Sequence, residues 1–152
     1  MEENSHILSW LMFTPLAGAI VIALLPKRNE FAARGVALLA SVLALLEAVS
    51  LWLRFDGAYP GLQFVEQTSW ISTIRVNYFV GVDGLSILMV LLTAILTPIA
   101  LLASAPIRKR LRAYYALMLA LQAGLFGVFT ALDFFHWFIF WEAGLIPMFF
   151  II

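Results

Sequence analysis

The stretch FHWFIFWEAGLIPMFFII, residues 135–152, carries one carboxylate, Glu142, in an otherwise strongly apolar run. If the helix begins near Phe134, Glu142 lies about 12 Å along it, close to the middle of a hydrocarbon layer roughly 30 Å thick. An ionised carboxylate there costs several kcal/mol, so it must face protein or water, share a proton, or pair with a cation. Pro147 leaves the Ala143 carbonyl without its helical donor, making a polar break beside Glu142 where water can enter. Burial and a nearby cation pull a carboxyl group in opposite directions, as a group that takes up and releases a proton requires. The plainer alternative is a neutral, hydrogen-bonded Glu that ties two helices together. Intramembrane carboxylates mark functional sites often enough to favour the first reading.

The whole chain has the character of that stretch. Of its 152 residues 64% are hydrophobic and 12% charged, whereas a soluble globule has about a quarter of its residues charged. Nine Lys and Arg balance nine Asp and Glu, so nothing favours nucleic acid as a partner. With no Cys, the chain supplies no disulfide, thiolate metal site or iron–sulfur ligand. The start MEENSH is acidic where a secretory signal is basic, and the first apolar run exceeds a signal core, so it reads as a retained span.

Five runs reach membrane-spanning length, at about 6–25, 31–53, 85–104, 113–132 and 134–152. They predict an all-α polytopic membrane protein, one membrane domain over 1–152. Lys27, Arg28, Arg34, Arg108, Lys109, Arg110 and Arg112 all follow the first or third span. The side bearing them is therefore expected to be cytoplasmic and the N-terminus outside. Trp10, Trp52 and Trp137 fall near the outer ends, and Tyr114 and Tyr115 near an inner one, as interfacial belts do. Residues 54–84 form a long outer connection in which QFVEQT and IRVNYFV read as strands around a SWIS turn, a short hairpin suited to a lid or a docking element.

Local signals complete the picture. Asp83, in GVDG, reads as an N-cap facing Ser86 rather than part of a phosphate loop, and Asp133 as the N-cap of the fifth span. Ala116, Ala120, Gly124, Gly127 and Ala131 form a small-residue stripe for close helix approach. Pro15, Pro98 and Pro147 each strand a carbonyl, which places these helices in a larger bundle. Glu47, in the outer third of the second span, reads as a structural hydrogen bond or a snorkelling group. His6 and His136 share the outer end, where a haem between two imidazoles is the weaker alternative to no cofactor.

GVDGLSILMVLLTAILTPIALLAS, 81–104, and HWFIFWEAGLIPMFFII, 136–152, resemble the third and fifth helices of the antiporter-like M-type (chain 4) subunits of proton-pumping NADH:quinone oxidoreductase. The FWExxLIPM pattern carries most of the likeness; the related L- and N-type subunits and the cation/proton antiporters share the fold with different wording. The resemblance implies a multi-pass subunit of a bacterial-type cell membrane, N-terminus periplasmic, lying between N- and L-type neighbours. It also implies two inverted five-helix repeats with broken helices. Glu142 takes the place of the family's proton-transferring carboxylate, with Trp141 and Pro147 as supporting neighbours, and pairs in the family with a Lys on the seventh helix. FMN, iron–sulfur clusters and quinone are expected in other subunits, none in this chain. Ile152 lies inside an apolar run, so the chain is expected to be the N-terminal part of a longer subunit. A cation/proton antiporter subunit and a purely structural anchor are the competing functions.

Overall fold

The computed structural model describes residues 6–26, 29–71, 73, 76–104, 107 and 110–151. Five helices, α1 (Ile7–Leu24), α2 (Glu30–Arg54), α3 (Gly84–Ala103), α4 (Leu111–Thr130) and α5 (Phe134–Ile151), are joined by an antiparallel hairpin of β1 (Gln63–Ile71) and β2 (Val76–Val82) between α2 and α3. All five are long and apolar enough to cross a bilayer. The fourth stops at Thr130, short of the expected Leu132. Ala131 leaves the helix to pair with Val80, and the Leu132 amide donates to the Phe79 carbonyl at 2.9 Å. The SWIS turn is also corrected. Ser69 pairs with Asn77 and Ile71 with Val76, so SWIS starts within β1 and the reversal comes later. Ser72, the end of that motif, lies outside the described residues, as do Lys27, Arg28, Arg108, Lys109 and Ile152.

The expected caps are present. Asp83 Oδ1 accepts from the amides of Ser86 (2.7 Å) and Leu85 (3.1 Å), while Ser86 Oγ accepts from the Asp83 amide at 2.8 Å, a reciprocal box opening α3. The Ser86 hydrogen bonds hold the Asp83 carboxyl below its ordinary pKa. Asp133 Oδ1 accepts from the Phe135 amide at 2.9 Å and opens α5. Pro15, Pro98 and Pro147 all sit within continuous helices and are buried.

α4 touches each of the other helices. Its stripe is used where no side chain would fit. A methyl group on Gly127 would fall 2.2 Å from ring carbons of Phe140, and Gly124 meets the backbone of Gly144 in α5. Across the bundle, a methyl on Gly18 of α1 would lie 2.5 Å from Ala40 of α2 and 2.9 Å from Leu119 of α4. Tyr115, expected in an interfacial belt, is instead 1% exposed, with its hydroxyl accepting from Ser104 at 3.5 Å. It packs with Ala19, Ile22, Ala33, Ala37, Leu101 and Leu119. Leu, Ile, Phe and Trp side chains stay exposed around the helices, a periphery suited to lipid.

The hairpin caps the end where α1, α3 and α5 begin. Val80 and Val82, two apart, share a face of β2 and pair with Glu66 and Gln63, three apart. The extra residue is a bulge at Phe64, whose φ of 53° is left-handed. It turns Glu66 inward, onto the start of α1. Glu66 Oε1 accepts from the amides of Leu8 (2.8 Å) and Ser9 (3.2 Å), and Oε2 accepts from the Ser9 hydroxyl. A strand carboxylate thus caps a helix 57 residues away in sequence. Ser9 spends its one hydroxyl proton on Glu66, so the Tyr78 hydroxyl, 2.7 Å away, donates to Ser9. Burial, with the Glu66 charge nearby, pushes the Tyr78 pKa up, and Tyr78 stays a neutral donor. His6 Nδ1 stands 3.6 Å from Glu66 Oε2.

Two expectations follow. Gly18→Ala forces α1, α2 and α4 apart and costs about 1–3 kcal/mol, read as a lower thermal midpoint in detergent; an unchanged midpoint would show that the three helices do not meet at this site. Glu66→Ala leaves two α1 amides and a hydroxyl without their acceptor and costs about 1–2 kcal/mol. Glu66→Gln, which keeps an accepting oxygen, should recover part of that in the same measurement.

Candidate functional site

α5 is two-sided. His136, Phe140, Gly144 and Pro147 follow one another at helical spacing. Phe140 and Gly144 meet α4, while His136 and Pro147 are the buried residues of the helix. Glu142 is two residues from both Phe140 and Gly144, which turns it about 200° away from the α4 contact at roughly 100° per residue. It is exposed, as is Trp141, whose ring lies tilted against that of Trp137 of the preceding turn, centroids 5.3 Å apart. The burial expected of Glu142 is therefore not supplied by the described helices, and only 11% of the α5 span is buried, against 44% in α4. Pro147 lies on the packed side, so Trp141 and Pro147 flank the carboxylate on different faces.

A second polar group is enclosed among the helices. Thr14 Oγ1 of α1 donates to Glu47 Oε1 of α2 at 2.8 Å, the structural hydrogen bond expected of Glu47, while Glu47 Oε2 is buried without a partner among the described residues. Gln122 of α4, 1% exposed, has neither amide atom paired among the described residues. Thr14 and Gln122 each lie about one turn toward the hairpin end from the contact of Gly18 with Leu119. Gln122 was not foreseen. Its only signal is a lone amide within LALQAGLF, where its orientation is set by packing.

The hairpin end brings the two histidines together. His6 and His136 line one cavity of about 520 Å³. They are held differently, His6 exposed beside Glu66 and His136 only 3% exposed between Tyr78 and Phe140, at ring separations of 4.9 and 4.8 Å. Among the described residues no group of three or more His, Asp or Glu could hold a metal ion.

Residues 7–128 match the family model described as NADH-ubiquinone oxidoreductase chain 4, amino terminus. The chain is 42% identical over 151 residues to NADH-quinone oxidoreductase subunit M of Rhodobacter capsulatus, covering 97% of this chain and 29% of that protein. It is 33% identical over 146 residues to NADH-ubiquinone oxidoreductase chain 4 of Marchantia polymorpha, covering 95% and 30%. With NAD(P)H-quinone oxidoreductase chain 4 of a Synechococcus species it shares 34% identity over 151 residues, covering 98% and 28%. The chain thus spans about three tenths of the length of these relatives. A match over most of its length, together with five membrane-length helices, shows that this multi-pass membrane chain belongs to the NADH-ubiquinone oxidoreductase chain 4 family, to the amino-terminal part of it.

Proposed function

We propose that this chain forms part of a proton-translocating subunit in the membrane arm of an NADH:quinone oxidoreductase, with Glu142 as its proton-transfer group. The observation that carries the reading is the position of Glu142: near the midpoint of a membrane-length helix, on the face turned away from α4. A carboxylate there is costly against lipid, so it calls for a covering surface, and a cation on that surface would stabilise the ionised form when close and release it when withdrawn. That is the chemistry of a switchable proton site: redox-driven movement of the cation changes the proton affinity of the carboxyl group, and water admitted at the Ala143 carbonyl would deliver the proton. Pro147 keeps that carbonyl open, and Trp141 shields one side of the carboxyl group.

The redox chemistry belongs to other subunits, where FMN, iron–sulfur clusters and quinone reside, and the membrane neighbours are the N- and L-type antiporter-like subunits. The basic residues that follow the first and third spans in sequence support an orientation with the end opposite the hairpin in the cytoplasm, and the hairpin and N-terminus on the outer face of a bacterial-type cell membrane.

Glu142→Gln tests the reading in vesicles of the assembled oxidoreductase, with proton uptake followed by a pH-sensitive dye while NADH oxidation is recorded. Loss of the exchangeable proton should lower pumping at least about tenfold at normal assembly, with partial return in Glu142→Asp. Undiminished pumping would make the chain a structural anchor. Proton exchange driven by a sodium gradient without NADH would instead point to an antiporter.

A further inference from the structure

We infer that α3 and α4 hold an ordered water inside the bundle, at a site formed by Gln122, Thr97 and the Ala94 carbonyl and separate from Glu142. The register of the two helices brings these groups together. Where α3 ends and α4 begins, the hydroxyls of Ser104 and Tyr115 stand 3.5 Å apart. Thr97 precedes Ser104 by seven residues and Gln122 follows Tyr115 by seven, which is two turns toward the hairpin on each helix and within about 20° of the same face. Thr97 and Gln122 are therefore opposed at one depth, 8% and 1% exposed. Packing gives the same register. Leu101 of α3 and Leu119 of α4 belong to one apolar cluster, while Ala94 and Phe126, nearer the hairpin, belong to another. Thr97 and Gln122 lie between the two clusters, as does buried Ser41 of α2, between Ala40 and Ala44.

This layer has unused hydrogen-bonding capacity of both kinds. Both amide atoms of Gln122 are buried and without a partner among the described residues, and a buried polar atom calls for one. Thr97 Oγ1 donates to the Thr93 carbonyl at 2.9 Å and Ser41 Oγ to the Leu38 carbonyl at 3.0 Å, so each hydroxyl keeps only its capacity to accept. Pro98 has no N–H to offer the Ala94 carbonyl, and a helical carbonyl points along the chain, here toward the level of Thr97. A water that accepts from Gln122 Nε2 and donates to Thr97 Oγ1 and to the Ala94 carbonyl joins these groups, with a number of polar partners usual for a buried water. Gln122 is two residues from Gly124, about 200° around α4 from the α5 contact, so the site lies on the far side of α4 from α5. In hydrocarbon, where no outside water serves these groups, the bound water is a hydrogen-bonded link between α3 and α4.

The test is an electron cryo-microscopy map of the full subunit in its native complex, at a resolution that shows ordered waters. Density for a water is expected within about 2.7–3.2 Å of a Gln122 amide atom and of Thr97 Oγ1 or the Ala94 carbonyl. Gln122→Met, similar in length and without a hydrogen-bond donor, should remove that density. Thermal midpoints of the same complex give a second readout. Gln122→Met should lower the midpoint, and in a Pro98→Ala background, where residue 98 regains an N–H for the Ala94 carbonyl, it should cause no more than about half that shift. A Gln122 amide bonded directly to protein groups with no density between them would overturn the inference. So would density that survives Gln122→Met, or equal midpoint shifts in the two backgrounds.

Discussion

Close approach of backbones on α4 is the constraint on which the rest of the bundle depends. In hydrocarbon there is no apolar surface to hide from water, so helices are held by contact area and by the few polar bonds that cross between them. Gly124 and Gly127 let α5 lie against α4, with the Phe140 ring filling the space that a side chain on α4 would occupy. Gly18 does the same for α1, which sits against both Ala40 and Leu119. Each contact is set by the absence of a methyl group. The geometry of the helices that carry Glu47, Gln122 and Glu142 follows from these contacts.

The hairpin works by a different force at one end. In place of apolar packing alone, a single carboxylate accepts three donors from the start of α1. That arrangement needs Glu66 on the inward face of β1, which regular alternation from Gln63 would deny it. The bulge at Phe64 supplies the change of parity at the cost of a left-handed φ at a non-glycine residue, of order 1–3 kcal/mol. The strain is tolerated because the capped helix end and the Tyr78–Ser9–Glu66 chain of hydrogen bonds stabilise the same geometry.

What could be read from the sequence was what is encoded locally. The spans follow from run length, and the caps at Asp83 and Asp133 from acceptors two or three residues before their amides, so both were legible. The hairpin was legible as two β-prone runs, but its reversal point was not, because register depends on the bulge and on the partner strand. Glu66 was invisible for a related reason: its donors lie 57 and 58 residues earlier in the chain. Tyr114 and Tyr115 read alike in sequence, yet only Tyr115 is turned into the core, by the rotation α4 takes against α1 and α2. Glu142 stood out because its neighbours are apolar, whereas the side it faces is decided by where Gly124 and Gly127 accept α5.

These two kinds of contact together define the position of Glu142. The Leu132 amide bonded to Phe79, the Asp133 cap and the packing of His136 on Tyr78 tie the start of α5 to the hairpin. One and a half turns further along, Phe140 and Gly144 key the helix to α4. A helix fixed in depth at its start and in rotation by its middle cannot slide or turn without breaking one set of contacts. The carboxylate is thereby held at one height and aimed in one direction, although its own side chain makes no bond among the described residues. Such an arrangement suits the proposed proton-transfer role, in which the scaffold keeps the carboxylate stationary while its partner moves.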